Sequence, residues 1–290
     1  TTKSGSNNKP LAISARVNFG VATIDKSTEF RMMSQEQYLA VAKEAWTNAG
    51  NSLKTFPYQD NDYNSYSTTD TDWSKEYLGV GTNLYADLSL TSGTKKTSNY
   101  VTGSYYKTDN TVKSDSQQRF SFRTRNSYDF TKWLRFNAQL SASYNTNNLF
   151  PLYRGFLETL PIFEPYLSDG SFRLYNKVYD EASGGWVMRK FTKNEVPARE
   201  ANTNTQRSVM TSANFSVEAK IFDGLKFTSQ YAIDYTHSHE DIYYSRTTLS
   251  GMDSAGNPKG SSRRADASYM NWTNVERLNY DKRFADRHNV

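Results

Sequence analysis

Apolar and polar residues alternate with period two along several separate stretches of this chain, the pattern of a strand that shows one face to an apolar medium and the other to a polar one. The first stretch sets Leu11, Ile13, Ala15, Val17, Phe19 and Val21 against the mostly polar Ala12, Ser14, Arg16, Asn18 and Gly20. A second sets Leu84, Ala86, Leu88 and Leu90 against Asn83, Tyr85, Asp87 and Ser89, and a less regular third runs from Tyr100 to Lys107. The fourth opposes Phe120, Phe122, Tyr128 and Phe130 to Arg119, Ser121, Arg123, Arg125 and Asp129. The fifth, the most regular, opposes Leu134, Phe136, Ala138, Leu140, Ala142 and Tyr144 to Arg135, Asn137, Gln139, Ser141 and Ser143. A sixth strand follows over Val209–Ile221 and a seventh over Leu225–Tyr235, while an eighth over Tyr269–Tyr280 has Val275 and Glu276 out of phase.

Segments of about 10 to 12 residues at roughly 3.3 Å each, tilted about 40°, rise roughly 25 to 30 Å, the height of the apolar band of an outer membrane. Soluble strands are usually about half as long. The connections differ by side. Short turns are predicted at 92–94, 131–133, 222–224 and 285–287, and long polar excursions at 23–82, 108–117, 146–206 and 236–268. That layout predicts an all-β fold: about eight antiparallel up-and-down strands of a transmembrane β-barrel, with short periplasmic turns and long extracellular loops. One short helix decorates the first loop. Ser34 and Gln37 form a capping box, Tyr38, Leu39, Ala42, Ala45 and Trp46 share a face, and Gly50 ends it. Gly155–Leu160 reads as a further helical turn stopped by Pro161.

Composition fits the barrel. Mean hydropathy of −0.79 suits a soluble protein and equally suits strands that give every second residue to a polar lumen, and no stretch approaches the roughly 18 to 20 consecutive apolar residues of a spanning helix. Tyrosines number 21 and phenylalanines 16, enough for aromatic girdles at two membrane interfaces. The 35 basic residues outnumber the 30 acidic ones, but they are scattered among the acids and form no stripe, so nucleic acid is not expected as a partner. With no cysteine there is no disulfide, zinc thiolate or thiol nucleophile. Thr1–Gly5 has neither an initiating Met nor an apolar core, so the chain is expected to begin within a longer protein.

Candidate chemistry is sparse. His237 and His239, followed by Glu240 and Asp241, have the spacing of a metal pair on one strand face, or are polar residues where a strand leaves the membrane. Glu158, Glu164, Asp169, Asp180 and Glu181 include no pair that stands out as a glycosidase dyad, and no phosphate-binding loop or nucleophile elbow is visible, so neither enzyme nor cofactor is expected. Arg119, Arg123 and Arg125 line the polar face of the fourth strand, either as an anion-attracting stripe in the lumen or as partners of acids such as Asp87 or of a plug. The third-loop residues Tyr153, Arg154, Phe156, Tyr166, Tyr175, Tyr179 and Trp186 either grip a sugar or peptide or pack the loop itself.

A series of short motifs resembles the SusC/RagA-like TonB-dependent outer-membrane transporters. Thr1–Gly5 resembles the end of their plug, Val17–Gly20 their first strand, and Met33–Tyr38 their first-loop helix. Thr71–Trp73, Leu88–Gly93 before Tyr100, Trp133–Leu134, Asn271–Thr273, Leu278–Tyr280 and His288–Asn289 follow in order, with Ala285 where the family often has Gly. The resemblance implies residues 1–10 as the end of a plug and 11–290 as the first strands of a barrel of about 22. It further implies active import of oligosaccharides or peptides in the outer membrane of a Bacteroidetes-like Gram-negative cell. A SusD-like surface lipoprotein and the TonB complex, reached through the plug, are the implied partners. The alternatives are a siderophore-type receptor, a secreted β-sandwich binding module, and a complete eight-stranded barrel.

Overall fold

The computed structural model of the protein describes residues 8–25, 32–150, 155–284 and 288–289. Its frame is one antiparallel sheet of eight strands in the order β1 (Ala12–Ala22), β2 (Gly81–Gly93), β3 (Thr97–Asp109), β4 (Ser116–Asp129), β5 (Leu134–Asn148), β8 (Thr203–Phe222), β9 (Leu225–Tyr244) and β10 (Ser261–Tyr280). Each strand neighbours the next, interrupted only by the small hairpin β6 (Tyr175–Asp180) and β7 (Gly185–Lys190) in the third loop. All eight predicted strands are present. Among the described residues β1 and β10 do not pair, so the sheet is open and the complete eight-stranded barrel is excluded.

The register places the expected faces together. Outward lie the rows Val17–Ala86–Tyr105–Phe120–Tyr144–Val209 and Phe136–Val217, of which Val17, Phe120, Tyr144, Val209 and Val217 are exposed and the others half-buried. Inward lie Arg16, Asp87, Ser104, Ser121, Ser143 and Met210. Residues from seven strands, Arg16 of β1 through Asp234 of β9, line one concavity of about 660 Å3, so the sheet curls around its polar face. A sandwich would cover the apolar face with a second sheet, and none lies there among the described residues.

The short turns are where the alternation ends. Asp223 and Gly224 alone connect β8 to β9, with Gly224 at φ +90°, where an added Cβ would meet the Asp281 carbonyl oxygen at 2.9 Å. The turn expected at 285–287 lies outside the described residues, as do residues 1–7 of the expected plug end. Lys9 accepts from the Gly93 amide at 2.9 Å, which sets the start of β1 beside the β2–β3 turn.

The loops on the other side are shorter than expected because β8, β9 and β10 are each 20 residues long. At about 3.3 Å per residue and a tilt of about 40° such strands rise roughly 50 Å, well beyond an apolar band. The fourth loop therefore occupies 245–260, not 236–268. Alternation fails to reveal this because both faces turn polar above the band. On the outward face Tyr235 and Met270 give way to His237, His239 and Asp241 opposite Ser268, Asp266 and Arg264.

Every buried hydrophobic side chain among the described residues belongs to the loops. The first-loop helix, α1 (Gln35–Asn48), has the expected capping box, and Gly50 follows its end at φ +84°. Its Leu39 packs with Phe56, Tyr66 and the third-loop Ile162, flanked by Tyr38, Ala42 and Trp46, whereas Ala45 is exposed. A second cluster joins Trp73 and Tyr77 of α2 (Trp73–Tyr77) to Phe191 and to Val196 of α4 (Val196–Ala201). The predicted helical turn before Pro161 is α3 (Gly155–Glu158).

Candidate functional site: the lumenal face and the loop cap

Asp87 pairs with Arg16, Nη2 to Oδ1 at 2.7 Å, and the Arg16 guanidinium lies 5.5 Å from the Tyr85 ring centre. The reason is register, since Arg16 stands directly opposite Asp87 and Arg119 stands opposite Tyr106, two strands further on. Arg119 is exposed and sits 5.7 Å above the Tyr106 ring. Arg125 donates from Nε to Gln139 Oε1 at 3.1 Å. Arg123, flanked by Thr102 and Ser141, is exposed and has no ion-pair or hydrogen-bond partner among the described residues. The concavity thus presents one compensated arginine, Arg16, and two exposed ones, Arg119 and Arg123, while Arg125 is held by Gln139 outside its lining.

Above it the first and third loops are knitted into one cap. Tyr66 donates its hydroxyl to the Lys177 carbonyl at 2.8 Å, the Lys177 amide donates to Asn64 Oδ1 at 2.9 Å, and Trp73 Nε1 donates to the Leu160 carbonyl at 3.0 Å. Arg173, nearly fully buried, pairs with Glu164 at 2.8 Å, donates to the Tyr63 carbonyl at 3.1 Å and lies over the Tyr63 ring. The Glu195 amide donates to the Tyr77 hydroxyl at 2.7 Å, joining α4 to α2. Burial pushes the Tyr66 and Tyr77 hydroxyls above the usual phenol range, so both stay protonated donors or acceptors at any physiological pH.

The loop aromatics divide. Tyr166 packs beside the second cluster, stacks on Phe172 and donates to Glu200 at 2.6 Å; burial first, then this carboxylate, pushes its hydroxyl up to about 12. Tyr175 is half-buried on β6 and reaches the Met252 sulfur at 3.7 Å, tying the third loop to the fourth. Trp186 stands at the exposed hairpin, edge-to-face with Tyr179 at 5.7 Å. Tyr153 and Arg154 lie outside the described residues.

His237 and His239 sit inside β9, not where it ends. His237 Nδ1 lies 2.9 Å from Ser268 Oγ, and His239 bridges Asp266 at 2.6 Å and Asp241 at 2.8 Å, with Arg207 and Arg264 also on Asp241. Among the described residues no group of three or more His, Cys, Asp or Glu side chains is arranged to hold a metal ion.

No family model matches the chain. It is 21% identical over 294 aligned positions to "TonB-dependent receptor P26" of Formosa agariphila, covering 100% of this chain and 28% of that protein. In fold it resembles the RagAB peptide importer in the closed-closed state, with TM-score 0.75 and 17% identity over 98% of this chain and 34% of the solved one. The open-open state of the same importer gives TM-score 0.73 and 16% identity over 99% of this chain. The fold is therefore that of a segment of a TonB-dependent receptor barrel, and the resemblance to the SusC/RagA type holds along the whole chain. The chain spans about a third of the length of the proteins it matches.

Proposed function

We propose that this chain is the N-terminal part of the barrel wall of a SusC/RagA-like importer. In this reading the barrel sits in the cell outer membrane, with residues 11–290 in the wall and 1–10 ending the plug. The parent protein carries oligopeptides or oligosaccharides inward, is driven through TonB, and works with a SusD-like surface lipoprotein. The observation that carries the reading is the pairing of an exposed apolar outward face with a curled polar inward face under a packed loop cap. A face of that apolarity is stable against lipid and is an aggregation liability in water. Nothing in the arrangement favours catalysis, since the ionisable clusters are paired with one another and face outward or hold loops together.

Within the wall, Arg119, Arg123 and Arg125 supply positive potential to the lumen, facing acidic groups of the plug or of cargo. In the cap, Trp186 is the aromatic most available to cargo, and Tyr166 and Tyr175 act by holding the third loop in place. The test is uptake of labelled oligopeptides and oligosaccharides by cells carrying the full-length protein. Uptake of one class that stops when the proton-motive force is collapsed or TonB is removed is the expected result; uptake unaffected by both would refute active import.

A further inference from the structure

At the end of the sheet that carries the short turns, a second concavity of about 580 Å3 is lined from three of those turns. Lys95 and Lys96 lie between β2 and β3, Lys132 lies between β4 and β5, and Lys220 and Lys226 flank the turn between β8 and β9. It opens on the lumenal face. Asp129, Arg135 and Glu218 stand in one cross-strand row with the parity of Arg123 and Ser141, and Lys220 follows Glu218 on the same face of β8.

Six cationic side chains line this space against two carboxylates, and both carboxylates are taken. Asp129 accepts from Arg135 Nε at 2.6 Å and Nη2 at 3.1 Å, while Glu218 accepts from Lys226 at 2.6 Å and from the Asn137 side-chain amide at 3.1 Å. Lys95, Lys96, Lys132 and Lys220 are exposed and have no ion pair among the described residues. Lys220 also stands directly opposite Lys226 across the β8–β9 ladder, a like-charge pairing that disfavours the sheet on its own. Residues 1–7 and 285–287, which adjoin this end in sequence, contain one acid, Asp286, against Lys3 and Arg287, so they do not cancel the surplus.

The turns hold these lysines in place. Thr94 Oγ1 accepts from the Lys96 and Thr97 amides at 3.2 and 3.1 Å, and Thr131 Oγ1 accepts from the Trp133 and Leu134 amides at 3.2 and 3.0 Å. A concavity lined by one sign of charge focuses its field on whatever enters it.

We infer that this concavity is a docking site for an acidic polypeptide segment of the parent protein, one that lies inside the curl of the sheet and sets several Asp or Glu carboxylates against Lys95, Lys96, Lys132 and Lys220. The inference rests on the barrel reading proposed above. A segment of the parent protein is the occupant that fits, because the site faces inward, away from lipid headgroups, and the chain spans about a third of the length of the proteins it matches. Single exposed lysine–carboxylate pairs contribute little, so the segment is held by several at once and its attachment weakens with salt.

The test is zero-length coupling of the full-length protein in detergent by a carbodiimide, which joins a lysine amine to a touching carboxylate with loss of water, followed by mass spectrometry of the digest. Lys96, Lys132 or Lys220 is expected to couple to acids of one segment outside residues 1–290, at a yield roughly fivefold or more above that of the exposed cap lysines Lys43 and Lys54. That yield should fall roughly threefold or more between about 50 and about 500 mM NaCl. Lys96→Gln, Lys132→Gln and Lys220→Gln combined should open the segment to limited proteolysis, and the corresponding Arg replacements should keep it protected, with folding of both variants checked by heat-modifiable gel migration. Coupling no greater than at Lys43 and Lys54, coupling spread over unrelated acids or insensitive to salt, or protection that survives the Gln variant would overturn the docking site. The assay reads neither transport nor lipid contact, so its failure leaves the barrel reading to its own tests.

Discussion

The sheet and the loop cap of this chain solve the problem of burying apolar surface in opposite ways. In the sheet, apolar residues such as Val17, Leu88, Phe120 and Trp272 are 70%, 51%, 55% and 61% exposed, and among the described residues no second layer covers that face. In the cap, Tyr66, Tyr77, Ile162 and Val196 are at most 1% exposed and sit in two contiguous clusters drawn from loops far apart in sequence. The cap is thus a water-adapted core of ordinary design, and the sheet, in the function proposed for it, is a surface completed by lipid. Long loops of this kind are usually soft. Here the two clusters and the Arg173 and Asn64 hydrogen bonds give them internal rigidity, which suits a vestibule that must hold its shape above a lumen.

If the division is real, equivalent insults should have unequal effects in the two regions. The largest is expected in the cap: Trp73→Ala empties a site that is 2% exposed and should cost about 3 to 5 kcal/mol of local stability. Limited proteolysis should then cut the first and third loops while the strands stay intact; cleavage of cap and strands together would mean they are one cooperative unit. Next is the sheet, where Leu140→Arg at the centre of β5 should cost about 2 to 4 kcal/mol for the full-length protein folded in a bilayer, measured by denaturant titration in vesicles. An unchanged midpoint would count against lipid on that face.

Smaller effects sharpen the picture. Arg173→Met removes the guanidinium donor from the Tyr63 carbonyl and from Glu164, which keeps the Thr69 hydroxyl, and should destabilise the cap by about 1 to 3 kcal/mol, toward the lower end because Glu164 is partly solvated. Hydrogen exchange of the first-loop amides would detect it. The smallest concerns the outer face above the band, where the hydrogen bonds that His239 donates to Asp266 and then to Asp241 raise its imidazole above its ordinary value. A histidine whose folded value is raised adds stability that is fully present below about pH 6.5 and is lost as pH rises through the folded value. The melting temperature should accordingly fall slightly between pH 6 and pH 9 in the parent protein, and His239→Gln should flatten that fall.

Much of the sheet was legible in the sequence because its two environments differ so sharply in polarity. The most regular alternation, over Leu134–Tyr144, corresponds to β5, and even the irregular stretch at Tyr100–Lys107 lies within β3. The upper ends of β8 to β10 were hidden, since Arg207, His239 and Asp266 are polar residues on the face that below them is apolar. The cap was legible only where a local rule applied, as in the Ser34 capping box. Its clusters join Trp73 to Phe191 and Leu39 to Ile162, contacts no local pattern reports, and β6, β7, α2 and α4 went unrecognised for the same reason. The Asp72 cap of Trp73–Tyr77 and the Pro197 near the start of Val196–Ala201 were the available signals for the two helices. Among the candidate site residues, position along the strand placed Arg119, Arg123 and Arg125 on the lumenal face, but their partners depended on cross-strand register, which sequence spacing does not supply.

The central claim is that the even-numbered side chains of β5 face lipid and the odd-numbered ones face the lumen. This chain contains no cysteine, so single cysteines from Ala138 to Ser143, in a full-length protein whose other segments are kept free of cysteine, can be labelled with an environment-sensitive fluorophore and exposed to brominated lipid chains. The account predicts strong quenching at 138, 140 and 142 and little at 139, 141 and 143. Quenching of the opposite phase, or of no phase at all, would contradict it.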